Sequence, residues 1–427
     1  MAKTLKIILA FIVSWMFFFP ITFTFLPPSI NSKMLMAVLG VLFVVSDIIH
    51  RKIQTDINKS FIIILVIASI FSISCFLSVV YNNTDEYGYA TYVISMLVWL
   101  GAAYAAFRMI GYAHGHNSIR LISNYIIALC TVQCIVALMI YYIPSLDSFF
   151  RHYTVIADLS SSYESRLYGI GTQFDVAGIR FAAALILCAA MIMDNPLDDK
   201  SVLLYLTSFC IIFILGNMMS RTTSVGAVIS LLYLVFKSGL WKFNVSKGES
   251  NVLRLSFYFL LLTIPLLICL YMISYNQIRG LVDFGFEGII HLMDTGEWDS
   301  HSTSILQGMW NIWPQNFKTW IIGDGYFSDP NNPKLFYMGT DVGYARMIFY
   351  CGLLGLSAFV SFFVYLTRNY MKKFTDYSSL FFLLFILQLA VWCKVSTDIF
   401  FIYAFYYPIF CKKDKDLQSA TYDEDPV

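Results

Sequence analysis

The chain has 427 residues, 58% of them hydrophobic and 17% aromatic, and only 13% charged. An average soluble chain carries roughly twice that charge fraction, so an ordinary soluble domain is excluded. A net charge of +1 leaves no electrostatic case for a nucleic-acid partner.

About 20 apolar residues carry a helix across a hydrocarbon core. Runs of that kind fall near 7–26, 34–49, 59–81, 89–112, 120–143, 174–193, 201–219, 222–240, 254–275, 341–366 and 377–396, and a shorter one runs from Thr397 to Phe410. The first follows Lys3 and Lys6 and ends without a small-residue cleavage site, so it reads as a retained helix. Residues 377–410 are too long for one crossing and tight for two, with Lys394-Val395-Ser396-Thr397-Asp398 as the natural turn. The expectation is an all-α polytopic membrane protein of about twelve transmembrane helices, forming a single membrane domain over 1–427.

Basic residues set the orientation. With the N-terminus in the cytoplasm, Arg51 and Lys52, Arg108 and Arg120, Lys237, Lys242 and Lys247, and Arg368, Lys372 and Lys373 all fall inside. The tail, 411–427, falls inside as well. External loops near 144–173 and 276–340 are then long enough to expect function on the outer face. Cysteines such as Cys75, Cys130, Cys134, Cys188, Cys210 and Cys269 sit in apolar runs and read as small apolar residues. No metal site is expected: His114 and His116 have no further ligands nearby, and no P-loop, dinucleotide or zincin motif occurs.

A charge at mid-bilayer costs about 2.5–3.5 kcal/mol on insertion scales and needs a reason. Arg180 lies inside the sixth span and Arg221 opens the eighth. Asp341 and Arg346 lie at the outer end of the tenth, Lys394 at that of the eleventh, and Arg166 in the loop above the sixth. All segregate to the outer half. Arg180 and Lys394 have a second reading as snorkelling residues, Lys394 pairing with Asp398. Several cations with little acid to match suggest a phosphate ligand. Helical spacing puts Tyr344 on the face of Asp341 and Arg346 roughly 140° away from it, so both cannot point at one ligand. Trp298, Trp310, Trp313 and Trp320 suit sugar stacking or an interfacial belt equally, and Asp299, His301 and Ser302 are possible polar contacts.

Three segments carry a resemblance: Arg166-Leu167-Tyr168-Gly169 followed by Phe174-Asp175; Ser220-Arg221-Thr222; and Ile322-Gly323-Asp324-Gly325 followed by Thr340-Asp341-Val342-Gly343-Tyr344 and Gly352-Leu353-Leu354-Gly355. In this order, with a long loop before the Gly-x-x-Gly helix, the chain resembles the Wzy-type O-antigen and capsule polymerases, which are related to the O-antigen ligases. The resemblance implies a fold similar to lipid-dependent, GT-C-like glycosyltransferases in the bacterial inner membrane, with a periplasm-facing site. It implies polymerisation of undecaprenyl-diphosphate-linked oligosaccharide units, both donor and acceptor being lipid-linked. Asp341, Arg221 and Arg180 are the catalytic candidates; Arg166, Arg346, Tyr344, Lys394 and His301 are the substrate-binding ones. No cofactor is implied, and a chain-length regulator of the Wzz type and a flippase of the Wzx type are the implied partners. Ligases of similar pattern carry a histidine where Asp341 stands, which favours polymerase over transfer to lipid A core. A transporter of the same lipid-linked sugar is the third reading, disfavoured by charges that crowd one face and by the lack of an internal repeat.

Overall fold

A computed structural model of the chain describes residues 2–50, 59–156, 166–171, 174–193, 199–238, 279–297 and 300–411. Among them there is no β-strand, only three isolated bridges. The helices are α1 Ala2–Phe18, α2 Ser32–Ile49, α3 Lys59–Asn82, α4 Tyr92–His114, α5 Ile119–Tyr142, α6 Pro144–Tyr153, α7 Phe174–Met193, α8 Asp199–Met219, α9 Thr223–Lys237, α10 at 279–295, α11 His301–Met309, α12 Phe317–Ile321, α13 Gly343–Lys373, α14 Ser378–Trp392 and α15 Phe400–Phe410.

Eight helical stretches among the described residues are long and apolar enough to cross a membrane: α2, α3, α4, α5, α7, α8, α13 and the 375–392 stretch that includes α14. The chain is therefore a multi-pass membrane protein. The expected 222–240 span appears as α9 with 15 residues, and the last as α15 with 11. The expected 254–275 span lies outside the described residues. The first span does not run to residue 26. It ends at Phe18, because Pro20 has no N–H to donate and its ring clashes with the preceding turn. Residues 19–31 instead form a turn-rich loop that closes on itself through the antiparallel bridge Thr22–Asn31, with a second bridge Phe23–Thr154.

The chain groups into two compact units. The first holds residues 1–18, 32–122 and 301–427. Its core is aromatic: Phe71 stacks on Phe359 at 4.5 Å, Phe359 on Trp392 at 5.1 Å, and Phe17 meets Phe405 edge-on at 4.9 Å. Such pairs add specificity that aliphatic packing in lipid lacks. The second unit holds 19–31 and 123–300. At its centre α7 is buried along its length, and the alanines of its Ala182-Ala183-Ala184 run let α9 approach: a Cβ at Gly226 would run into the Ala182 backbone.

Helix α13 is broken. Gly352 has φ 64° and ψ −173°, a region essentially reserved to glycine. The break frees carbonyls, which need partners at membrane depth. The Gly-rich turn after α12 supplies them: Asp324 N–H donates to Phe349 O at 2.6 Å and Gly325 N–H to Tyr350 O at 3.1 Å. Ser78 of α3 adds its hydroxyl to Tyr350 O at 2.7 Å. The two Gly motifs of the sequence thus lock into one another.

Candidate functional site

In the second unit α8 and α9 are joined by Ser220-Arg221-Thr222. Both flanking hydroxyls are buried and donate to one oxygen of Asp175, Thr222 at 2.5 Å and Ser220 at 3.3 Å. Asp175 sits in the first turn of α7, where a carboxylate is favoured by the helix dipole. The Ser and Thr of the motif are therefore anchors, and Arg221 is what the turn presents. Its Nε donates to Phe284 O at 2.8 Å and its Nη2 pairs with Glu287 Oε2 at 2.6 Å, both on α10.

Arg166 reaches the same ring. Leu167 N–H binds Met218 O at 3.0 Å, docking this segment on the end of α8. The Arg166 guanidinium then lies 4.1 Å from the Phe284 ring centre, with that of Arg221 at 4.5 Å. The glycine of Arg166-Leu167-Tyr168-Gly169 has a steric reason, since a Cβ there would strike the Gln133 side chain. Arg180 is buried, 4% exposed. Its Nη1 donates to Val176 O one turn back at 2.8 Å, toward the start of α7, as side chains on a helix lean.

In the first unit Asp341 and Arg346 form an ion pair, Nη1 to Oδ1 at 2.9 Å. The expected 140° separation does not hold, because α13 begins only at Gly343 and Asp341 precedes it in non-helical backbone. Arg346 also donates to Phe327 O at 3.1 Å and lies over the rings of Phe327, at 3.6 Å, and Phe336, at 4.3 Å. Tyr344, expected on the face of Asp341, turns instead to α14. Its hydroxyl donates to Leu389 O at 3.1 Å and its ring meets Trp392 edge-on. Lys394 lies half-buried in the turn after α14, and the Asp398 carboxylate accepts from Phe400 N–H at 2.8 Å just before α15. His301 opens α11, but its side chain lies outside the described residues, as do Trp298 and Asp299.

The tryptophans of the large segment are packed and bonded. Trp310 donates to Cys393 O at 3.1 Å, Trp313 to Trp310 O at 2.6 Å and Trp320 to Pro314 O at 2.8 Å. Trp313 and Trp320 lie parallel, 5.9 Å apart. Leu306, Trp310 and Trp313 pack on Val342, Ala345 and Phe349, so this segment covers the start of α13. Asp324 accepts from Lys318 at 2.8 Å, Thr319 at 2.6 Å and Tyr337 at 3.3 Å. Burial, and then the Asp324 charge, push the Tyr337 phenol up to about 12, so it stays protonated and donating at neutral pH.

Four residues of these clusters escaped assignment from sequence. Asp175 was visible beside the Arg-x-x-Gly segment, whereas Phe284 and Glu287 stand in an unremarkable helical stretch. The fourth, Glu86, follows α3. Its carboxylate accepts Phe327 N–H at 2.5 Å and Ser328 N–H at 3.1 Å, holding the Phe327-Ser328 segment whose carbonyl and ring grip Arg346. Glu86→Gln replaces a charged acceptor shared by both N–H groups with a neutral amide oxygen, and a loss of about 1–2 kcal/mol is expected. Thermal melting in detergent checks this against the exposed neighbour Asp85→Asn, which is expected to melt like wild type.

Among the described residues no group of three or more His, Cys, Asp or Glu is placed to hold a metal ion. Compared with protein families, with curated proteins and with solved structures, the chain gives no match.

Proposed function

We propose that the chain polymerises undecaprenyl-diphosphate-linked oligosaccharide units at the outer leaflet of the bacterial inner membrane, in a bundle of about twelve spans similar to GT-C-like glycosyltransferases. The observation that carries this reading is the convergence of Arg166 and Arg221 on Phe284, in a turn fixed by Asp175. Guanidinium groups gathered in so apolar a protein suit a diphosphate, which accepts bidentate hydrogen bonds.

In the proposed reaction the bond from the anomeric carbon to the diphosphate oxygen breaks, and a bond from that carbon to an acceptor hydroxyl forms. Arg166 and Arg221 stabilise the charge that develops on the departing diphosphate, with Arg180 adding to the positive potential. The hydroxyl proton passes to an oxygen of the departing diphosphate, so the step balances within the substrates. One displacement inverts the configuration at the anomeric carbon. The lipid diphosphate is itself the leaving group, so no nucleotide is consumed.

Each linkage frees one undecaprenyl diphosphate. Purified protein given the lipid-linked unit is expected to release it, as read by chromatography of labelled lipid, and Arg166→Ala to slow release about 100- to 1,000-fold. Release only after lipid A core is added would move the reading to a ligase. Folded wild type that releases none but carries the unit across a liposome membrane would make it a transporter.

A further inference from the structure

Helices α13 and α14 are consecutive and joined by the short turn 374–377, so the end of one lies beside the start of the other. Between them runs an open groove of about 540 Å³. On α13 it is lined by Val364, Thr367, Arg368, Met371 and Lys372, at i, i+3, i+4, i+7 and i+8 on one helix face; on α14 by Ser378, Phe382 and Phe385. Arg368, Lys372 and Ser378 stand at the turn, and Val364, Phe382 and Phe385 lie deeper toward the middle of the membrane-crossing helices. At 1.5 Å per residue Val364 lies about 6 Å beyond Arg368 and about 12 Å beyond Lys372 along α13, and Phe385 about 10 Å beyond Ser378 along α14.

Arg368 and Lys372 are like charges four residues apart, an arrangement that costs a helix a few tenths of a kcal/mol without an anion to share. Neither takes part in an ion pair among the described residues. The acid of the connecting turn, Asp376, is exposed. The helix dipole favours Lys372 and Lys373 in the last turn of α13, and Arg368 a turn earlier extends the same basic end of the helix. Lys373 lies over the Phe410 ring at 5.5 Å. Phe382 is 48% and Val364 45% exposed, so the apolar walls face outward at membrane depth.

We propose that this groove binds one anionic glycerophospholipid, its phosphate between Arg368 and Lys372 at the start of α14 and an acyl chain along Val364, Phe382 and Phe385. Two basic contacts at a membrane surface correspond to about a 30-fold preference over a zwitterionic lipid. The site lies within one unit and is independent of the glycan reaction.

Native mass spectrometry of the full chain in detergent, titrated with dioleoylphosphatidylglycerol or dioleoylphosphatidylcholine, tests it. Wild type is expected to bind the anionic lipid at least tenfold more tightly. Arg368→Gln with Lys372→Gln is expected to remove that preference, and so is Ser378→Asp, which puts a carboxylate at the same mouth and leaves both cations in place. Phe382→Ala is expected to weaken both lipids alike. Equal binding of the two lipids by wild type, a preference that survives both charge variants, or displacement of the lipid by millimolar inorganic phosphate would each overturn the proposal.

Discussion

Arg221→Ala is expected to lower the rate of glycan polymerisation about 100- to 1,000-fold, the cost of one preorganised donor to a developing charge. The backbone around it should survive, because the turn is held by Ser220, Thr222 and Asp175 and not by the arginine. Arg221→Lys is expected to recover little. A lysine offers a point charge without the planar fork that lets Arg221 bind Phe284 O through Nε and a carboxylate through Nη2 at once. That carboxylate, Glu287, occupies the position an anionic ligand oxygen would take on Arg221. Glu287→Gln should therefore tighten binding of a prenyl diphosphate while Arg221→Ala weakens it. Equilibrium binding of a short-chain prenyl diphosphate to the three proteins reads both. An unchanged affinity in Arg221→Ala would remove this arginine from ligand recognition.

Gly352→Val is expected to be the most damaging single change for folding, at about 3–5 kcal/mol. Part is conformational, since φ 64° with ψ −173° is open to glycine alone. Part is contact: a Cβ there would meet the Ile321 backbone oxygen and the Ile322 nitrogen, neither of which moves without the chain. Shifting the turn would break the bonds from Asp324 to Phe349 and from Gly325 to Tyr350 and leave two carbonyls unpaired at membrane depth. Gly308→Ala in α11, where a Cβ would meet nothing within 4 Å, is the control and should fold like wild type. The yield of monodisperse protein and its melting temperature in detergent report the difference. A Gly352→Val variant that melts with wild type would show that the break in α13 is dispensable.

Several helices were legible because lipid imposes a simple rule: long apolar runs with charges between them. The expected spans near 34–49, 59–81, 89–112, 120–143, 174–193 and 201–219 lie close to α2, α3, α4, α5, α7 and α8. Where a local signal overrode hydropathy, the boundary moved. Pro20 stopped α1 eight residues before the expected end, although the stretch through Leu26 is apolar. The break at Gly352 was hidden because a kink leaves the hydropathy of a span unchanged, though the Gly-x-x-Gly motif marked the place.

The sites divide in the same way. Arg180 stands out by the cost of a charge inside an apolar run, Arg221 by opening a span and Arg166 by the Arg-x-x-Gly segment of the loop before α7. Their partners were not, because Asp175, Phe284 and Glu287 become neighbours only when α7, α8 and α10 pack. The Asp341–Arg346 pair was missed for a different reason. Wheel arithmetic assumed a helix already running at Asp341, two residues before it begins, and a non-helical residue there folds back onto the first turn. Glu86 lies 241 residues from the backbone N–H of Phe327, a separation that no local pattern reports.

The most direct test of the polymerase reading is a size separation of the products made by purified wild type in liposomes, given only the lipid-linked repeat unit and no other acceptor. The expected result is a ladder of lipid-linked chains, each longer by one unit and lost in Arg221→Ala. A single unextended band from folded, substrate-bound protein would contradict it.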